Sequence, residues 1–224
     1  MLYPVEVLKY DMLKDLTPVA VLVTYPLAIA VNTQSGVKNI KEYAAWVKAN
    51  PKEASFGTAG AGGHTHFSGL QLGKAIGQPL QVVPYRGNGP LITDLLGGQI
   101  DFAVVATPSV QQHIKSGALR AIGMCGDKRT ASLPEVPTFV EQGLPGYVME
   151  AWFAVVGPKG MSAASVKKVH EAVVAAFNDP GVRETMAKQG NTINISSPEQ
   201  AQKGFSTELA KYAALVKKAG IQPE

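Results

Sequence analysis

The sequence predicts an α/β fold built on a mainly parallel sheet, and three observations point that way. Between residues 54 and 124, short β-branched runs alternate with helix-length amphipathic segments, most of them stopped by Gly. Of the 224 residues, 46% are hydrophobic and 17% charged, a balance that suits a globular chain of one large or two small domains. The longest apolar stretch, Val19 to Val31, is interrupted by Thr24 and Pro26. It falls short of the roughly 20 residues of a membrane-spanning helix.

Val19 to Val23 and Leu27 to Val31 read as two short strands that Pro26 separates. Ser35 is placed to cap a helix running through Val37, Ile40, Tyr43, Ala44 and Val47, and Asn50-Pro51 stops it. Ala54 to Phe56 is a strand that enters a Gly-rich loop. Helix Thr65 to Ile76, stopped by Gly77, strand Gln81 to Pro84, and helix Gly89 to Leu96, stopped by Gly97, come next. Strand Ile100 to Ala106, helix Ser109 to Lys115 and strand Leu119 to Met124 complete the series.

Pro134, Pro137, Gly143, Pro145 and Gly146 punctuate a segment expected to hold one short helix, before Tyr147 to Val156 returns to a strand pattern. Ser162 to Phe177 sets Val166, Val169, Val173 and Phe177 on one helical face. A second helix follows Asn178 to Gly181 and ends near Gly190, and a last one runs from Ser197 to Lys218. Residues 25–150 thus form one complete α/β lobe. Residues 1–24 and 151–224 form a partial second lobe, rich in helix and poor in strand, with a cleft expected between the two.

Composition narrows function less. The net charge is +4 with a pI near 9.1, but Lys and Arg are scattered along the chain, which argues against a nucleic-acid surface. Cys125 has no disulfide partner and no metal-site spacing around it. Met1 to Asp15 lacks the basic, apolar and small-residue regions of a secretory signal.

The stretch Gly57-Thr58-Ala59-Gly60-Ala61-Gly62-Gly63-His64-Thr65-His66 joins a strand to a helix. Its glycines let backbone N–H groups approach an anion, and the helix start adds partial positive charge. The same glycines could serve chain reversal alone. A dinucleotide loop would read G-x-G-x-x-G and a phosphate loop would end in Gly-Lys-Ser/Thr, and neither pattern is met. His64 and His66 diverge at a helix start with no carboxylate or Cys beside them in sequence, so no metal is expected; capping or packing suits them better. His113 and His170 carry no catalytic signature, and no G-x-S-x-G elbow activates Ser55 or Ser68. No cofactor is implied.

Pro84-Tyr85-Arg86-Gly87-Asn88-Gly89 and Thr107-Pro108 end the next strands and should open on the same sheet edge. Arg86 could pair with a ligand carboxylate or stand solvated beside its turn. Trp46 packs in the core. Trp152 and Phe153 fall where the chain crosses between lobes and could line a cleft, but core filling suits them better, with Glu150 beside them as a candidate cleft or hinge group.

Phe56 to Gly62 with His66, Val83-Pro84-Tyr85-Arg86-Gly87, Leu95-Leu96-Gly97-Gly98-Gln99-Ile100-Asp101, Gly143-Leu144-Pro145-Gly146, and Val216-Lys217-Lys218-Ala219-Gly220-Ile221 together resemble the Bug, or TctC-like, receptors of tripartite tricarboxylate transporters. The resemblance covers essentially the whole chain. It implies a periplasmic-binding-protein-like, Venus-flytrap fold and a non-catalytic receptor. Such a receptor works in the periplasm, binds a small carboxylate (a dicarboxylate, amino acid or aromatic acid) and passes it to membrane permease subunits. It also implies a ligand site at Thr58, Ala59, Gly60, Gly62, Gly63, His64, His66, Tyr85, Arg86, Gly87, Thr107 and Pro108, with the Thr58 hydroxyl among the donors. Arg86 stands where relatives usually carry Lys, a change that keeps charge and alters hydrogen-bond geometry. Relatives precede Leu2-Tyr3 with a signal peptide and opening strands, so a truncated first lobe is expected. The alternative is an enzyme or a ligand-sensing domain on the same fold.

Overall fold

A computed structural model of the chain describes residues 9–51 and 54–219. Residues 1–8 and 220–224, which include part of the signal-peptide reading and the end of the C-terminal motif, lie outside the described residues. The chain divides into two compact units. One comprises Tyr25–Ala151 with Ala187–Asn191, and the other Met1–Thr24, Trp152–Met186 and Thr192–Glu224.

In the first unit, the second half of β1 (Leu16–Asn32) and strands β2 (Ser55–Thr58), β3 (Gln81–Pro84), β4 (Phe102–Ala106) and β5 (Leu119–Met124) lie in the order β3-β2-β4-β1-β5. β2 is parallel to β3 and β4, whereas β1 runs antiparallel to both β4 and β5. The sheet is therefore mainly parallel with one reversed strand in its interior, which local sequence patterns do not reveal. β1 is also continuous through Pro26, against the expected break. Its pairing with β7 (Thr192–Ile193) ends at Thr24 and its pairing with β4 begins at Leu27. Pro26 thus sits between two registers, where its missing N–H leaves neither of those ladders short of a donor.

Side chains alternate across this sheet. On one face, Tyr43 and Trp46 of α1 (Ile40–Ala49) set their rings edge-on to Phe102, with centroids 4.5 and 4.7 Å away. On the same face α2 (His64–Ala75) comes so near β2 that a Cβ on Gly69 would overlap the Phe56 ring. On the other face, Leu91 and Leu95 of α3 (Asn88–Leu96) and Val110 of α4 (Thr107–Lys115) pack with Ala30, Ala103 and Val105, all fully buried. Each such leucine contributes about 1.5–3 kcal/mol by leaving water. Ser35 does not cap α1. Its hydroxyl donates to Asn32 O, and Asn39 takes the cap position, accepting from the Glu42 N–H. The Pro- and Gly-punctuated segment is built of turns instead of the short helix expected. It adds Leu133 and Val136 to a cluster with Ala28, Ala121 and Met124.

The second unit contains the first half of β1, paired with β6 (Glu150–Pro158) and β7, and helices α5 (Ala163–Asn178), α6 (Pro180–Lys188) and α7 (Pro198–Ala219). α5 and α6 contain no buried residue. Trp152 and Phe205 pack with centroids 5.1 Å apart. Residues 187–191, expected to go with this unit, cluster instead with the first. There Gln111 Nε2 donates to Lys188 O over 2.8 Å, and Gly190 lies against Ser132.

Candidate functional site at the carboxyl edge of the parallel strands

Because β2, β3 and β4 run the same way, their carboxyl ends share one sheet edge. Thr58 pairs with Pro84 on one side and Val104 on the other. The three loops that leave this edge are residues 59–63, 85–87 and the Ala106–Thr107 junction, and each passes straight into a helix. The three segments singled out from sequence as ligand-facing therefore leave one edge together.

The caps of those helices share a property. α2 starts from Gly63, α3 from Gly87 and α4 from Ala106, and at none of them does a side chain accept a first-turn N–H. Helix starts leave about four N–H groups without an intrahelical partner. In α3 and α4, Pro90 and Pro108 remove one donor each, leaving Asn88, Gly89, Thr107 and Ser109. No hydrogen bond among the described residues occupies the N–H groups of Ala59, Gly60, Ala61 or Gly63. An edge so built favours a negatively charged group, through direct donors and through the aligned peptide dipoles.

Several groups expected at the ligand also brace the loops. Thr58 is fully buried, and its hydroxyl hydrogen-bonds Thr65 Oγ1 and lies 3.3 Å from Gly60 O. The Gly62 N–H donates to His66 Nδ1 over 2.9 Å, so that donor is already engaged. His66 is 9% exposed, and its burial lowers the imidazole below the usual value of 6.5. His64 is half-buried at the first position of α2. No cluster of three or more metal-ligating groups occurs among the described residues.

In the second loop, the Tyr85 N–H donates to Thr58 O over 2.8 Å and its phenol to Asp94 Oδ2 over 2.9 Å. Desolvation, helped by that carboxylate, pushes the phenol up to about 12. Gly87 has φ of +100°, where a side chain would be strained. Arg86 is exposed and makes no hydrogen bond or ion pair among the described residues. In the third loop, buried Thr107 donates its hydroxyl to Pro26 O over 2.7 Å, and Pro108 is partly exposed. Asn88 Nδ2 donates to Ser109 Oγ over 3.0 Å and ties the second loop to the third. Sequence reasoning missed this pair; the signal was a hydrogen-bonding residue near the start of two neighbouring helices.

Beneath the site, α2 is pinned by a buried polar cluster. The Tyr147 phenol donates to Ser68 O over 2.8 Å and lies 2.7 Å from Ser68 Oγ, with Cys125 Sγ 3.6 Å from the same hydroxyl. Burial pushes the Cys125 thiol up to about 12 and the phenol well above its usual range. Among the described residues, no helix is long and apolar enough to cross a membrane.

Comparison with known proteins gives this edge a context. The profile of the TctC family, the tripartite tricarboxylate transporter family receptor, matches residues 2–221. Protein BugT of Bordetella pertussis is 32% identical over 213 residues, which span 95% of this chain and 65% of BugT. The chain thus spans a little under two thirds of that relative's length. The structure of periplasmic binding protein BugD matches with a TM-score of 0.90 at 32% identity, over 96% of this chain and 73% of BugD. MatC from Rhodopseudomonas palustris, solved with bound malate, matches with a TM-score of 0.86 at 28% identity, over 96% of this chain and 74% of MatC. A profile match over nearly every residue, together with the fold of BugD, establishes that the chain belongs to the TctC family of tripartite tricarboxylate transporter receptors.

Proposed function

We propose that this chain captures a small organic carboxylate, with the anion held by backbone donors at the carboxyl edge of β2, β3 and β4. The observation that carries this reading is the set of three neighbouring helix starts with no side-chain cap, beside a loop whose N–H groups at Ala59, Gly60, Ala61 and Gly63 stand open. A carboxylate accepts several N–H bonds at once and needs no charged side chain when dipoles already point at it. Arg86, exposed next to the loop, supplies a screened counter-charge. Thr58, His66, Tyr85 and Thr107 shape the loops, and Gly87 and Pro108 set their backbone direction.

The malate in MatC and the family's role as transporter receptors support an organic acid over a phosphate. In this reading the receptor works outside the cytoplasmic membrane and hands its ligand to membrane permease subunits. Capture makes and breaks no covalent bond.

The test is a thermal-shift and calorimetric screen of mono- and dicarboxylates, malate first. A ligand at a hundredfold excess over Kd stabilises the native state by about 2.7 kcal/mol. For a chain of this size that raises Tm by roughly 5–10 °C. An unchanged Tm across a broad acid panel, with inorganic phosphate giving the only shift, overturns the proposal.

A further inference from the structure

The Gly62–His66 hydrogen bond has a chemical sense that fixes the protonation state of the ring. A backbone N–H can only donate, so Nδ1 must be a bare acceptor and the imidazole proton must reside on Nε2. Nδ1 is therefore turned into the loop and engaged there. We propose that His66 is a positioning residue for the anion loop: as a neutral acceptor it holds the Gly62 N–H and keeps the flanking donors of Gly60 to Gly63 aimed at the ligand, so that protonation of the ring weakens ligand capture.

Protonation would place a hydrogen on Nδ1 facing the Gly62 hydrogen, donor against donor. The bond would break and the loop would have to shift. The surroundings of the ring favour the neutral form. The Phe67 ring stacks against it at 5.8 Å, and burial is the resolved influence on its titration. On its own helix the other ionisable side chains are His64 and, two turns on, Lys74. Tyr147 and Cys125 face α2 through Ser68, and burial keeps both protonated and neutral. Glu150 lies against Gly126, next to Cys125.

The direction of the pH effect separates this role from direct contact. A His66 that touched the carboxylate would bind better when charged, so affinity would rise as pH falls. A positioning His66 gives the reverse. Because its folded value lies below 6.5, affinity and stability are complete above that value and decline as pH drops through it.

This inference rests on the carboxylate reading, and the experiment keeps the two apart. Affinity for malate, or for the tightest acid of the panel, is measured from about pH 8 to about pH 5.5 in the wild type, His66→Asn and His66→Ala. The His66→Asn change puts an amide oxygen in place of the Nδ1 acceptor, and that oxygen does not titrate.

The wild type is expected to lose about three- to tenfold in affinity across that range. His66→Asn is expected to bind more tightly than His66→Ala and to show no such fall with pH, and His66→Ala to be weak at every pH. In the wild type without ligand, the imidazole ¹⁵N shifts should report a proton on Nε2, and the Gly62 amide should titrate with the ring. Affinity that rises at low pH, a proton on Nδ1, or the same pH profile in wild type and His66→Asn overturns the inference. Absence of binding to any acid at high pH overturns the carboxylate reading instead, while the nitrogen shifts and the Gly62 titration still decide the role of His66.

Discussion

The helices among the described residues start in two different ways. At α1, α5, α6 and α7 a side chain closes the first turn: Asn39 accepts from Glu42 N–H, Ser162 from Ser165, Asp179 from Gly181 and Val182, and Ser197 from Gln200. At α2, α3 and α4 the cap positions are Gly63, Gly87 and Ala106, and no side chain does so. A side-chain cap is worth about 1 kcal/mol, so three open helix starts side by side are a stability forgone. They are also the three that meet at one sheet edge. In the proposed reading, the donors left open there serve an external anion, whereas donors elsewhere serve the fold.

The strongest way to break this contrast is to close one of the open starts. Gly63 has an ordinary φ of −86°, and a Cβ there would meet only Gly60 O, at 3.9 Å. Gly63→Asp should therefore cap α2 and raise stability by roughly a few tenths of a kcal/mol in denaturant unfolding, since glycine is already a tolerable cap. It should also weaken carboxylate binding by about a hundredfold, because a like charge then occupies the anion position. Unchanged affinity in calorimetry would mean that α2 does not face the ligand.

The converse change removes a closed start. Asn39→Ala should cost about 1 kcal/mol of stability, read as a lower urea midpoint, with carboxylate affinity unaltered. Loss of binding in that variant would show that the two classes of helix start are not separable. A smaller effect is expected at Arg86, whose exposure leaves its charge screened. Arg86→Ala should weaken binding by about threefold at low ionic strength and less at high salt, as followed by titration in increasing NaCl.

Much of the first unit's secondary structure was legible because Gly and Pro punctuate it. Leu119 to Met124 is a strand in sequence and in structure, and Gly77, at φ +69°, follows α2 where the pattern placed its stop. The reversed strand β1 was not legible. Its place between β4 and β5 depends on pairing with residues about 75 and 90 positions away, and no local pattern encodes that choice. Pro26 misled for the same reason, since whether a proline breaks a strand depends on which neighbours its position must serve.

The site divides along similar lines. Glycine order and the strand-to-helix junctions point to the loops at Gly57, Tyr85 and Thr107 as anion-facing candidates. Which donors were open could not be read, because Thr58 is occupied by Thr65, and Gly62 by His66, through contacts that exist only once the loop is folded.

By itself, then, the sequence determined where strands and helices alternate and where glycine permits a close backbone approach, because period and φ preference are local properties. The tertiary structure alone decided that β1 runs against its neighbours, that three uncapped helix starts share one edge, and that His66 accepts the Gly62 N–H. Those outcomes depend on hydrogen bonds between partners that folding brings together, and a donor's availability is settled only when every competing acceptor has been placed.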